Sequence, residues 1–160
     1  MSHYSQGEFD FVKRTIKIIG QYDKLNHKNT LEKYEVTLLI NCFLGLIVVP
    51  QQLWLDKINS KKENRTNLLL NIKYIGYIKD DYNIKNVITH FRNSAAHGKI
   101  QPRSKDKGKK KKITHLMIQD FEPKKFGGKK TFEALVPIEI IKSLSLSIGK
   151  EMIKVMENYR

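Results

Sequence analysis

The feature that most constrains the fold is an apolar segment that ends at a proline. Residues 36–49 are apolar at almost every position, and Pro50 follows them directly. A helix that is hydrophobic all round is buried on every side, and a proline cannot continue it. With Thr30 as its N-cap, the sequence therefore predicts a central helix over residues 30–49. Asn41 interrupts the apolar run, which is too short to span a bilayer.

Two further segments have the apolar period of a helix with one buried face. The first follows a capping box of Ser5 and Glu8, and the last begins with Pro137 in its first turn. A third segment, residues 68–78, is apolar and is also predicted to be helical. The apolar faces of the first and last helices are Phe9, Val12, Ile16 and Ile19, and Ile138, Ile141, Leu144, Ile148, Met152 and Val155.

A different period appears between these helices. Residues 113–121 and 131–136 alternate apolar and polar side chains, with Gly127 and Gly128 between them, which predicts a β-hairpin over residues 113–136. A chain of 160 residues suits one domain with a core. We therefore expect a mainly α fold, a single-domain helical bundle over residues 1–160 with a small β-hairpin insertion before the C-terminal helix.

One more predicted helix carries the residues best suited to chemistry. Asn83 is its expected N-cap, and His90, Asn93 and His97 form a polar stripe opposite the core face. Helical geometry places Arg92 on the flank, roughly 140° from His97. The apolar side chains of the core face are Ile84, Val87, Ile88, Phe91 and Ala95.

The angle between Arg92 and His97 leaves two possibilities. Either the helix unwinds before Gly98, which suits the residue after a helix C-cap, or two copies of the chain share one site. Ala95 and Ala96 are small enough to let a second helix approach closely.

These residue types suit the cleavage of RNA. The 2′-hydroxyl must lose a proton as it attacks the neighbouring phosphorus, and the leaving 5′-oxygen must gain one. A histidine side chain can serve as acid or base, and His97 is the residue expected to do so. Arg92 offers a permanently charged planar fork for the phosphate oxygens, and Asn93 could orient the histidine or bind a phosphate oxygen. This chemistry requires no metal and no cofactor.

The run Arg92-Asn93-x-x-x-His97, followed by Gly98, resembles the R-x4–6-H motif of the HEPN superfamily. The segment 34–50 is also similar to small bacterial HEPN-like proteins at Thr37, Leu38, Leu39, Asn41, Gly45, Leu46 and Pro50. The resemblance implies a helical bundle and a metal-independent ribonuclease. It further implies a homodimer with a composite active site, in which Arg92 and His97 are catalytic and Asn93 supports them.

The charge of the chain points to a polyanionic partner. The net charge of +14 indicates nucleic acid or an anionic membrane, although a composition rich in Lys, Asn and Ile is also typical of an AT-rich genome. Residues 99–112 carry +7, which predicts a mobile basic loop. That loop either tracks an RNA backbone beside the motif, with His90 as a further contact, or is merely solvated. Its cations are Lys99, Arg103, Lys105, Lys107, Lys109, Lys110, Lys111 and Lys112.

Several classes of protein do not fit the sequence. The single cysteine, Cys42, allows no disulfide within the chain, and no Cys/His set has zinc spacing. Neither a P-loop nor a Gly-x-Ser-x-Gly elbow is present. The polar start of the chain lacks the pattern of a signal peptide, so we expect a cytoplasmic protein with no membrane partner.

The sequence therefore predicts an endoribonuclease that cleaves by attack of the 2′-hydroxyl and acts as a toxin or in phage defence, with an antitoxin or a defence-system protein as possible partner. The alternative is a non-catalytic HEPN-like module that binds RNA or protein. A DNA-binding protein is the third reading, but no recognition helix is evident.

Overall fold

A computed structural model of the chain describes residues 7–25, 35–48, 72–104 and 113–158. Helices α1 and α2 and most of α4 belong to one compact unit, whereas α3, the four strands and the start of α4 belong to a second. The elements are α1 Gly7–Leu25, α2 Glu35–Val48, β1 Ile75–Ile78, α3 Ile84–Ala96, β2 Ile100–Arg103, β3 His115–Phe121, β4 Lys130–Pro137 and α4 Ile138–Asn158.

The first unit is helical, as the apolar periods predict. Phe43 and Leu46 of α2 are fully buried, and a side chain at Gly45 would begin 2.9 Å from the Phe11 ring of α1. This close approach explains why a glycine stands in an otherwise large-residue run. Cys42 is also buried, and burial raises the pKa of its thiol, which makes the reactive thiolate less accessible.

The second unit is organised around an antiparallel sheet with the strand order β1-β4-β3-β2. Strands β3 and β4 form the predicted hairpin, with Ile118 opposite Ala134. Leu116, Ile118 and Asp120 alternate inward along β3 and are buried. Helix α3 packs on β3, and its Phe91 meets Phe132 of β4 edge to face with ring centroids 5.7 Å apart.

The prediction of a mainly α bundle with a small hairpin insertion is wrong, because the hairpin forms the middle of a four-stranded sheet. Residues 75–78, predicted to be helical, form β1, which pairs with β4. Residues 100–103, predicted to lie in a mobile loop, form β2, which pairs with β3. Both outer strands are short and depend on partners distant in sequence, so local periodicity does not reveal them.

Among the described strands, β2 lies at an edge of the sheet. The amide N–H of Gln119 donates to the carbonyl oxygen of Lys99 at 3.1 Å, and Pro102 stands opposite Leu116. Because hydrogen-bonded positions alternate along an antiparallel ladder, the backbone of Pro102 faces away from β3. A proline fits there, since the donor that it lacks would point outward.

Some predictions fall outside the described residues: the caps Ser5 and Thr30, and the loop positions 105–112. The single domain over residues 1–160 stays a prediction. Within the described ranges, the helices are all too short or too polar to cross a membrane.

Candidate active site

The site is built on α3, whose start is fixed by a side-chain cap. Asn83 has extended backbone angles, and its Oδ1 accepts a hydrogen bond from the N–H of Asn86 at 2.9 Å. This bond satisfies one of the free donors of the first turn and confirms the predicted N-cap. The predicted core positions Ile84, Val87 and Phe91 are buried.

The end of α3 is equally well defined. His97 is the C-cap, and Gly98 has φ +62°, in the left-handed region that favours glycine. The N–H of Gly98 donates to the carbonyl of Ala95 at 3.1 Å, and that of Lys99 to Ser94 at 2.7 Å. This pair of bonds is a Schellman motif. The helix therefore ends before Gly98, and His97 is left exposed at the terminus.

Arg92 occupies a different side of the same helix. It is half-buried, and the regular pitch of α3 through Ala96 leaves it about 140° from His97 around the helix axis. Within the described part of the chain, no hydrogen bond or ion pair is found between Arg92 and His97. One chain therefore presents the two motif residues in different directions.

Asn93, the third motif residue, is held by a buried carboxylate. Its Nδ2 donates to Oδ2 of Asp120 at 3.1 Å, and Asp120 is only 5% exposed. The same oxygen lies 2.8 Å from Nδ1 of His90, and Oδ1 accepts from the backbone N–H of Phe121 at 2.9 Å. Three donors offset the cost of removing this carboxylate from water.

The prediction that His90 lies on a polar stripe opposite the core is wrong. His90 is 5% exposed and stacks on the ring of Phe132, with centroids 4.9 Å apart and planes inclined by 14°. Its Nε2 lies 3.1 Å from Oδ2 of Asp80 but makes no hydrogen bond with it or with any other described residue. The sheet covers the side of α3 that carries His90, whereas helical periodicity alone predicts that this side faces solvent.

An open pocket of about 500 Å³ lies beside the end of α3. One of its acidic lining residues, Glu122, accepts a hydrogen bond from Lys79, and this bond raises the pKa of Lys79. Asp120, which accepts a hydrogen bond from Asn93, also lines the pocket. The lining residues are His97, Lys99, Asp120, Phe121, Glu122, Pro123, Lys124 and Gly128.

The comparisons with known proteins concern the whole chain. A family model described as HEPN pEK499 p136 matches residues 1–159. The chain belongs to this HEPN family. No curated protein matches the chain, and no solved structure does.

In this HEPN protein the predicted RNA contacts are distributed unevenly. Lys99 lines the pocket, whereas Arg103 is exposed on β2, where its guanidinium donates to Gln101 at 2.7 Å. The remaining predicted cations lie outside the described residues: Lys105, Lys107, Lys109, Lys110, Lys111 and Lys112. Across the described ranges, no group of three or more His, Cys, Asp or Glu side chains could hold a metal ion.

Sequence reasoning missed Asp120 and Asp80, both of which approach His90 in the HEPN fold. A signal for Asp120 was available, because it continues the inward alternation of Leu116 and Ile118 along β3. A charged residue at an inward position of a strand needs a partner inside the protein. Asp80 lies in the loop before α3 and carries no comparable signal.

Proposed function

We propose that this HEPN protein is a metal-independent endoribonuclease. The observation that carries the proposal is the placement of His97, exposed at the end of α3 and lining an open pocket with Lys99 and Lys124. A solvent-accessible imidazole can exchange protons with a substrate, and the two ammonium groups attract a phosphodiester. Family membership supports a nuclease in general terms.

The proposed reaction is a transesterification within the RNA chain. An imidazole of His97 takes the proton of the 2′-hydroxyl, the 2′-oxygen forms a bond to phosphorus, and the bond from phosphorus to the 5′-oxygen breaks. A protonated imidazole donates to the departing 5′-oxygen. The products are a 2′,3′-cyclic phosphate and a 5′-hydroxyl, and Arg92 stabilises the charge that builds on the phosphate oxygens.

The direction of Arg92 leads us to propose a composite site. Because Arg92 and His97 point about 140° apart on one helix, a second copy must supply one of them if both contact the same phosphate. Ala96 is exposed and Ala95 half-buried at the same end of α3. Small side chains there allow the helix of the second copy to approach closely, as a symmetric homodimer requires.

Asn93 is proposed as a positioning residue. Its amide nitrogen is committed to Asp120, which orients the opposite end of the amide, Oδ1, away from the carboxylate. That oxygen is then available to accept a hydrogen bond from a protonated imidazole or a ribose hydroxyl.

The decisive assay incubates the purified protein with a mixed RNA pool in EDTA. We expect cleavage to persist in the chelator and to slow by at least about 100-fold in His97→Ala and in Arg92→Ala. The matched control is His115→Ala, a histidine at the far end of β3, with folding verified by circular dichroism. A His97→Ala protein that cleaves RNA as fast as wild type would falsify the proposal.

The divergence of Arg92 and His97 within one chain also favours a second candidate, a module that binds RNA or a partner protein without cutting it. In that case wild-type protein leaves the RNA pool intact, and salt-sensitive RNA binding is unchanged by either substitution.

We extend the first proposal to a toxin or phage-defence role with an antitoxin or defence-system partner. This role predicts that expression of the wild-type protein arrests growth and that the substitution His97→Ala relieves the arrest.

A further inference from the structure

Two aromatic rings are exposed at the hairpin beside the pocket. Phe121, the last residue of β3, lines the pocket and is 37% exposed. Phe126 is 65% exposed and lies in the chain between Lys124 and Gly128, both of which line the pocket. Leaving large rings in water forgoes the free energy of burying them, so one exposed ring in the pocket and a second on the turn that borders it suggest a ligand with flat apolar faces.

Lysine side chains lie over both rings. Lys99 Nζ lies 5.8 Å from the centroid of Phe121, and Lys125 Nζ lies 4.9 Å from that of Phe126. These cation–π contacts place one ammonium group over a face of each ring. A ligand that stacks on the rings therefore also meets positive charge.

The nearby carboxylates are already occupied. Asp120 is bound by His90 and Asn93, and Glu122 accepts from Lys79. Asp120 keeps its negative charge but is buried, and Glu122 is paired with Lys79. The exposed ammonium groups of Lys99, Lys124 and Lys125 therefore leave the rim of the pocket positive, which favours an anion.

The turn that carries Phe126 is fixed by its backbone. Gly127 and Gly128 have φ +100° and +63°, conformations that residues with a Cβ rarely adopt. The N–H of Phe126 donates to Pro123 at 2.8 Å, and that of Gly127 donates to Lys124 at 3.0 Å. The ring is therefore presented by an ordered turn, which reduces the entropic cost of binding.

We propose that this pocket is a nucleotide-binding subsite for single-stranded RNA. One base stacks on Phe121, the next stacks on Phe126, and Lys99 and Lys124 contact the phosphate between them. A volume of about 500 Å³ suits a nucleotide. Bases within a duplex are already stacked, so only unpaired bases can use the rings. The subsite rests on the proposed function, because it delivers a phosphodiester to His97.

The test measures binding separately from cleavage. The first probe is a fluorescent single strand of about twelve 2′-O-methyl ribonucleotides, which lacks the 2′-hydroxyl needed for cleavage. The second has the same backbone with abasic sugars. Anisotropy titration is expected to give a Kd about tenfold lower for the base-bearing probe. Phe121→Leu, which keeps an apolar side chain but no ring, should remove most of this preference.

The matched control is Tyr77→Leu. Tyr77 is 45% exposed on β1, and both β4 and β3 separate β1 from the edge strand β2. This variant should keep the preference for bases. Lys99→Gln should instead weaken both probes equally and reduce the slope of log Kd against log salt by about one.

Equal binding of the two probes by wild type overturns the subsite, as does a loss in Phe121→Leu no greater than in Tyr77→Leu. An oligoglutamate of equal charge that binds as tightly as the base-bearing probe also overturns it, in favour of an acidic protein partner. Base-dependent binding without cleavage of ordinary RNA defeats the nuclease proposal alone. Cleavage without base-dependent binding defeats the subsite alone.

Discussion

Asp120 is the residue on which the geometry of the motif depends most directly. Its buried carboxylate accepts from His90, Asn93 and the backbone of Phe121, and so joins α3 to β3. Hydrogen bonds to a charged acceptor contribute more to stability than hydrogen bonds between neutral groups. A network of such bonds also restricts the side chains to one arrangement.

We expect Asp120→Asn to lower the free energy of unfolding by about 2–4 kcal/mol, because the amide keeps the shape but cannot accept from both His90 and Asn93 through a charged oxygen. Urea denaturation followed by circular dichroism measures the change. The control is Asp81→Asn, whose exposed side chain should give a difference within about 0.5 kcal/mol. A similar small loss at Asp120 would mean that the network contributes little to stability.

Sequence reasoning succeeded at residue scale where the interaction is local. Asn83 and its partner Asn86 are separated by one helical turn, so the cap was visible in the sequence. Asn93 and Asp120 lie 27 residues apart. Their contact exists only after α3 packs on β3, and no local pattern records it.

At the scale of elements, the end of α3 determines what the site exposes. The Schellman motif stops the helix, turns the chain at Gly98 and leaves His97 at the terminus. A helix that continued further would place Lys99 on its own surface, away from β2.

The substitution Gly98→Ala tests this end. We expect it to lower the free energy of unfolding by about 1 kcal/mol, since a Cβ is strained at φ +62°. Differential scanning calorimetry measures the change in stability. Gly20→Ala in α1 is the matched control with the opposite sign, because open space surrounds that position and alanine favours a helix by about 0.5–1 kcal/mol. Equal effects of the two substitutions would show that φ at Gly98 is not decisive.

The strands show where element prediction fails. The alternation of β3 and β4 is long enough to identify both, whereas β1 and β2 have four residues each. The segment before α3 is apolar without a clear period, and the segment after it is basic and contains a proline. Pairing with the central hairpin decides both structures, and that is tertiary information.

At the scale of the whole molecule, the proposed composite site makes a prediction about mixtures. Arg92→Ala and His97→Ala proteins are each expected to be inactive. After mixing and subunit exchange, one of the two sites in every heterodimer keeps both residues, so about one quarter of wild-type activity should return. RNA cleavage measured before and after mixing, with light scattering to establish the dimer, tests this.

No recovery in the mixture, despite measured exchange, would place Arg92 and His97 of one active site in the same chain. A mixture of the Arg92→Ala protein with the double variant serves as the control, since none of its sites can contain both residues.

Pro102 has a consequence for how copies of this chain can meet. An open sheet edge is a template for a strand from another molecule, and repeated addition of this kind leads to fibre growth. At β2 the outward-facing position opposite Leu116 is a proline, so an incoming strand finds no amide hydrogen there. At the other described edge, the irregularity of β1 between Ile75 and Tyr77 interrupts the row of donors and acceptors. Both described edges therefore resist pairing with a strand of another molecule, which protects the protein from aggregating through its sheet.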